Sequence, residues 1–137
     1  MTYLLDTNVI SEPRKPRPSA AVLRWLAQVP IDELALSVMT IGELRKGAEQ
    51  VRPRDADQAS SFDIWIAGAV AQFHGRIVAV DTDVAEAWGR LEAMQPRPKV
   101  DGLIAATALV HGMTVATRSV RDFELMGVET YNPFEAD

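Results

Sequence analysis

Short runs of β-forming, largely apolar residues alternate along this chain with segments of helical periodicity, and this alternation constrains the fold most strongly. The runs predict strands at residues 3–5, 34–37, 77–80, 114–116 and 128–131. Strands that alternate with helices favour an α/β fold, in which a central, mostly parallel sheet is flanked by helices. The uniformly apolar run 77–80 is typical of the centre of such a sheet, whereas 128–131 is expected at its edge.

The length and composition suit one domain spanning residues 1–137, since 47% of the residues are apolar and can form a substantial core. No apolar stretch is long enough to cross a bilayer, and the first residues lack the features of a signal peptide. There is no cysteine, which excludes disulfides, zinc-thiolate sites and thiol nucleophiles. The sequence therefore predicts a cytoplasmic protein without a membrane segment.

Four carboxylates stand where a strand or loop meets a helix. Asp6 follows the first strand, and Glu43 lies just inside the helix after the second. Asp101 opens a helix at residues 102–111, and Asp122 follows the fourth strand and a short turn. In a parallel sheet these points lie along one edge, where ligands bind. Four negative charges gathered there repel one another unless a hard dication neutralises them, which predicts metal-dependent phosphoester chemistry.

Each acid also has a purely structural interpretation. Asp6 suits the N-cap of the following turn, and Glu43 suits a capping box that begins at Thr40. An acid in a first helical turn, such as Asp101, is favoured by the helix dipole, and Asp122 suits another cap. Only their shared position at one sheet edge favours a metal site over four separate caps.

The formal charge of −5 at first argues against a nucleic-acid partner, because phosphates usually bind a positive surface. Two bound dications would offset most of this charge. Scattered solvated charge explains any single basic pair, but the pattern as a whole is compatible with a basic rim around an acidic centre. The basic groups are Arg14, Lys15 and Arg17; Arg45 and Lys46; Arg52 and Arg54; Arg97 and Lys99; and Arg118 and Arg121.

Four motifs together resemble the PIN domain, and the resemblance covers nearly the whole chain. They are Asp6-Thr7-Asn8; Thr40-Ile41-Gly42-Glu43-Leu44; the helix that begins at Asp101 and runs into His111-Gly112; and Thr117-Arg118-Ser119-Val120-Arg121-Asp122-Phe123. The chain length, Trp65 and the segment Gly75-Arg76-Ile77 resemble the VapC/FitB-like toxins of bacterial type II toxin–antitoxin systems.

The resemblance implies a three-layer α/β/α fold and a Mg²⁺- or Mn²⁺-dependent endoribonuclease. Asp6, Glu43, Asp101 and Asp122 are then the catalytic and metal-binding residues, with Asp6 and Asp101 as direct ligands. Thr7, Asn8, Thr117 and Arg118 are expected to orient the site, and Arg118 to pair with an acid rather than to contact phosphate. Ser119 stands where the family usually has Asn, which removes an amide donor from the loop before Asp122.

The resemblance also implies a homodimer and a cognate VapB/FitA-like antitoxin. The antitoxin would block the site with its C-terminal tail, and contact with operator DNA would come only through its DNA-binding part. RNA would be the substrate.

Two other functions fit the residues. Dehalogenase-like phosphatases also carry an Asp after their first strand, but they need a second Asp two residues on, where this chain has Asn8. Alternatively, the chain serves mainly as the complex-forming partner of a DNA-binding antitoxin in operator autoregulation, with weak or no nuclease activity. Its acids would then anchor an antitoxin Arg.

Overall fold

A computed structural model describes residues 1–135 of the chain. The strands are β1 (Tyr3–Leu5), β2 (Leu34–Ser37), β3 (Ile77–Val78), β4 (Thr114–Ala116) and β5 (Thr130–Tyr131). The helices are α1 (Thr7–Ile10), α2 (Ala20–Gln28), α3 (Val38–Val51), α4 (Ala56–Gln72), α5 (Thr82–Met94), α6 (Lys99–His111) and α7 (Val120–Glu124), with 3₁₀ turns at Glu12–Arg14 and Ile31–Glu33. Across residues 1–135, no helix combines the length and apolar character needed to span a membrane.

The five strands form one sheet in the order β3-β2-β1-β4-β5, and each neighbouring pair is parallel. The predicted α/β fold is confirmed, and the described sheet is parallel throughout rather than mostly parallel. The position predicted for the third strand is wrong, because β3 is a short, half-buried edge strand. Its residues are apolar because Ile77 and Val78 pack into the cores on opposite faces of the sheet.

The strand side chains alternate between two cores, one on each face of the sheet, as the twofold periodicity of a strand requires. Leu4 and Val115 pack into the core that includes residues of α5 and α6. Leu5 and Ala116, the next residue along each strand, pack into the core that includes residues of α1 and α2. Helices therefore cover both faces, which gives the predicted three-layer α/β/α architecture.

The helix starts follow side-chain caps, although one cap differs from the prediction. Ser19 caps α2 by accepting a hydrogen bond from the backbone N–H of Val22. Helix α3 begins at Val38 and is capped by Ser37, so the predicted Thr40 cap is wrong. Ser37 is the last residue of β2, and its hydroxyl accepts a hydrogen bond from the backbone N–H of Met39. The helix is therefore already capped three residues before Thr40.

Candidate metal centre

The carboxyl ends of β1 and β4 mark the place where the path of the chain through the sheet reverses direction. From β1 the chain adds β2 and β3 on one side and then β4 and β5 on the other. Parallel α/β sheets bind ligands in the crevice at such a switch point. Asp6 directly follows β1 and Thr117 directly follows β4, so the sequence places a polar side chain on each side of the crevice.

Asp6 is buried, with 6% of its surface exposed, and hydrogen bonds hold both of its carboxylate oxygens. The backbone N–H of Thr7 donates to Oδ1 at 2.8 Å, which makes Asp6 the N-cap of α1. The hydroxyl of Thr117 donates to Oδ2 at 2.8 Å. Burial raises the pKa of Asp6 despite these two hydrogen bonds, and repulsion from Glu43 adds to the rise. The carboxylate is thus fixed in a place where its charge is costly without a nearby cation.

Glu43 lies in the second turn of α3, on the side of the helix that faces α1. The hydroxyl of Thr7 donates to its Oε1 at 2.5 Å. The capping-box interpretation of Glu43 is therefore wrong, since α3 begins before Thr40 and the Glu43 side chain contacts a residue after β1. The hydrogen bond instead connects α3 to the loop that carries Asp6.

Asp101 reaches the same edge of the sheet from the opposite direction. Helix α6 leads into β4, so its first turn lies near the carboxyl ends of the strands, and Asp101 is in that turn. The helix begins at Lys99, three residues before the predicted range 102–111. Burial raises the pKa of Asp101 to about 6, and repulsion from Asp6, Glu43 and Asp122 contributes as well. Asp101 thus lies close enough to the other three acids to be repelled by each of them.

Three of the four acids line one open pocket of about 480 Å³, and the fourth lines the space next to it. Asp6, Glu43 and Asp101 share the first pocket, together with Thr7, Asn8, Ser11, Lys46, Gly47, Gln50 and Ser119. Asp122 and Asp101 together line a neighbouring pocket. The structure thus brings together acids that are far apart in the sequence, with Asp122 at the margin.

The chemistry of these donors fits a hard divalent cation. Within residues 1–135, no three acidic or histidine side chains already stand in an arrangement that could hold a metal ion. Magnesium does not need such a cage, because it usually keeps several waters and binds proteins through one or two carboxylates. Burial is the main reason that the pKa of Asp101 is raised, and repulsion from the other acids adds to it. A cation among the acids would oppose both effects, because it favours the ionised carboxylate.

The loop after β4 is held by the residues predicted to orient the site. The backbone N–H of Ser119 donates to the Thr117 hydroxyl at 2.9 Å, and that hydroxyl donates to Asp6. The backbone N–H of Arg118 donates to Oδ1 of Asn8 at 3.3 Å. Within the described part of the chain, Arg118 forms no ion pair with an acid, and its guanidinium instead lies 3.8 Å from the centre of the Phe134 ring. The expectation of an ion pair at Arg118 is therefore wrong, although its interaction with the ring also stabilises the loop.

The pocket also contains residues that the sequence did not single out as site residues. Lys46, Gly47 and Gln50 follow Glu43 at intervals of three, four and seven residues. Residues at these spacings share one face of a helix. Once Glu43 was placed at the site, its helical periodicity could have identified them.

Comparisons with known proteins show which family the chain resembles in sequence and fold. A VapC ribonuclease of Sinorhizobium fredii is 38% identical over 138 residues, covering 96% of this chain and 97% of that protein. Toxin FitB of Neisseria gonorrhoeae is 34% identical over 136 residues, covering 96% and 97% respectively. The crystal structure of FitAcB from the same organism matches with a TM-score of 0.90 at 33% identity, covering 98% of this chain and 99% of that one.

A second solved structure, FitAB bound to a DNA fragment, has a TM-score of 0.89 at 32% identity and covers 99% of this chain and 98% of that one. The sequence profile of the PIN domain matches residues 3–126, which include all four acids. The chain therefore belongs to the PIN domain family.

Proposed function

We propose that this chain is the toxin of a type II toxin–antitoxin system and an endoribonuclease that depends on Mg²⁺ or Mn²⁺. Its membership of the PIN domain family supports this function, as do the names of similar proteins, a VapC ribonuclease and the toxin FitB. The observation that carries the proposal is the pocket at the sheet edge, where Asp6, Glu43 and Asp101 meet and Asp122 adjoins.

The four acids would coordinate the cation in different ways. Asp6 and Asp101 would bind it directly, and Glu43 and Asp122 directly or through water. A bound divalent ion supplies a Lewis acid that lowers the pKa of a water and offsets charge gathering on the phosphate. Thr117 holds Asp6 and Thr7 holds Glu43 before substrate arrives, so less reorganisation is needed when RNA binds.

Cleavage of a short fluorogenic RNA by the purified chain tests this proposal. The expected result is cleavage with Mg²⁺, none with EDTA, and a loss of about 10²-fold or more for Asp6→Asn and for Asp101→Asn. Asp57→Asn, which removes an exposed acid from α4, is the matched control and should cleave normally. Unchanged cleavage by both site variants would refute the proposed site, and turnover of p-nitrophenyl phosphate without RNA cleavage would favour a phosphatase. Sequencing of the RNA ends would identify the target.

The proposed toxin acts in the cytoplasm as a homodimer and is inhibited by a cognate VapB/FitA-like antitoxin, through which it would reach operator DNA. The similarity to FitAB bound to a DNA fragment supports the partner protein and the contact with DNA. The same similarity favours a second candidate function, in which the chain is mainly the complex-forming partner of the antitoxin in operator autoregulation.

The two candidates differ in what a cleavage-deficient protein can do. If the nuclease is the toxin, expression of the wild-type chain without its partner should arrest growth, and expression of Asp101→Asn should not. Both proteins should still bind the proposed cognate antitoxin in a pull-down. Equal growth arrest by wild type and Asp101→Asn, or an absence of RNA cleavage with normal binding of the partner, would favour the second candidate.

A further inference from the structure

Lys46 brings a positive charge to the pocket that holds the acids. It lies on α3, three residues after Glu43, and the two side chains line the same pocket. Of the residues within 1–135 that line this pocket, Lys46 is the one that carries a basic side chain. Gln50, one turn further along α3, continues the same polar face of the helix.

The other cations of this helix are engaged elsewhere. Arg45 pairs with Asp63 of α4 at 2.6 Å, and Arg52, just after α3, pairs with the same carboxylate at 2.8 Å. Glu49 contacts both arginines as well. These ion pairs neutralise both arginines between α3 and α4, and neither arginine lines the pocket of the site acids. Lys46 is exposed and forms no ion pair with any of the described residues, so its ammonium group is available to an external anion.

We propose that Lys46 binds a phosphate of the RNA strand that enters the acidic pocket. This inference rests on the proposed ribonuclease function and names a residue that holds its substrate. An RNA strand is repelled by four carboxylates, and a cation on the wall of the pocket offsets that repulsion for one phosphate. Lysine suits this role because its ammonium is a mobile point charge on a flexible stem, which can follow a phosphate without a fixed bidentate geometry.

Binding of a short fluorescein-labelled oligouridylate, measured by fluorescence anisotropy over a range of salt concentrations, tests the proposal apart from catalysis. The measurements use the full chain carrying Asp101→Asn, so that the probe stays intact, alone and combined with Lys46→Gln or Lys46→Arg. Arg24→Gln is the matched control, because it removes one exposed positive charge from α2, at a residue that does not line the pocket. Cleavage by the wild type and by Lys46→Gln is measured in parallel.

We expect Lys46→Gln to weaken binding about two- to fivefold, as for an exposed ionic contact. The slope of log K against log salt should fall by about 0.7, the value for one phosphate contact to a single strand. Lys46→Arg should restore both quantities, and Arg24→Gln should change neither. In the cleavage assay, Lys46→Gln should raise KM more than it lowers kcat. If the wild type cleaves RNA while Lys46→Gln binds with an unchanged affinity and slope, the role of Lys46 is refuted. If the wild type does not cleave and the Asp101→Asn chain does not bind, the proposed function fails and this inference fails with it.

Discussion

The hydroxyl of Thr117 donates a 2.8 Å hydrogen bond to Oδ2 of Asp6, and so joins two residues that are 111 positions apart in the sequence. The bond spans the carboxyl ends of β1 and β4, the point where the order of the strands reverses. Thr117 is fully buried and Asp6 nearly so, which means that water cannot replace the bond at little cost. The contact couples the stability of the fold to the position of a proposed metal ligand.

Replacement of Thr117 by Val keeps the shape of the side chain but removes its donor. Because Asp6 then loses a partner in a buried place, we expect the free energy of unfolding at pH 7 to fall by about 1–3 kcal/mol. We also expect RNA cleavage to fall by about 10- to 100-fold, since Asp6 is no longer held. Urea denaturation and a cleavage assay measure the two effects. Thr117→Ser keeps the hydroxyl and should retain most of the activity, and equal losses in the two variants would contradict this role.

The pKa of Asp101 predicts how the stability of the metal-free protein depends on pH. The folded-state pKa is about 6 and the ordinary value is 3.8, so between these values the folded protein holds more protons than the unfolded chain. The contribution of Asp101 to stability must therefore fall as the pH rises through this window and change little above it. Asp101→Asn removes the cost of ionising this carboxylate in the folded protein. The melting temperature of the variant in EDTA should therefore exceed that of the wild type at pH 7 but not at pH 3.5. A gain of equal size at both values would show that repulsion and burial of this carboxylate are not the cause.

Two glycines should respond in opposite ways to replacement by alanine. A Cβ at Gly89, inside α5, would meet no atom within 4 Å, so Gly89→Ala should stabilise the protein by about 0.5–1 kcal/mol through helix propensity. Gly112 ends α6 with a φ of +65°, and Gly112→Ala should destabilise by about 1–2 kcal/mol because L-residues resist this conformation. Urea denaturation of both variants checks the contrast. Changes of the same sign would contradict it.

The sequence predicted the fold because strand positions and helix caps depend on nearby residues. The apolar runs located β1, β2 and β4, and Ser19 marked the start of α2. Prediction failed where the local sequence was compatible with two different structures. Ser37 and Thr40 both suit an N-cap, and an apolar run such as 77–80 suits the edge of a sheet as well as its centre when both faces are covered.

The candidate site could be predicted in its members but not in its contacts. Asp6, Glu43 and Asp101 were expected at one sheet edge, and the structure places them around one pocket, with Asp122 beside it. The hydrogen bonds from Thr7 to Glu43 and from Thr117 to Asp6 join distant segments, and local patterns carry no signal for such pairs. The metal-binding roles of the four acids are a prediction.

Calorimetric titration of the metal-free protein with Mn²⁺ tests most directly whether these acids act together as one metal site. We expect saturable binding by the wild type and by Asp57→Asn, and binding at least about tenfold weaker for both Asp6→Asn and Asp101→Asn. Mn²⁺ binding that is unchanged by either site substitution, in protein that remains folded, would contradict this expectation.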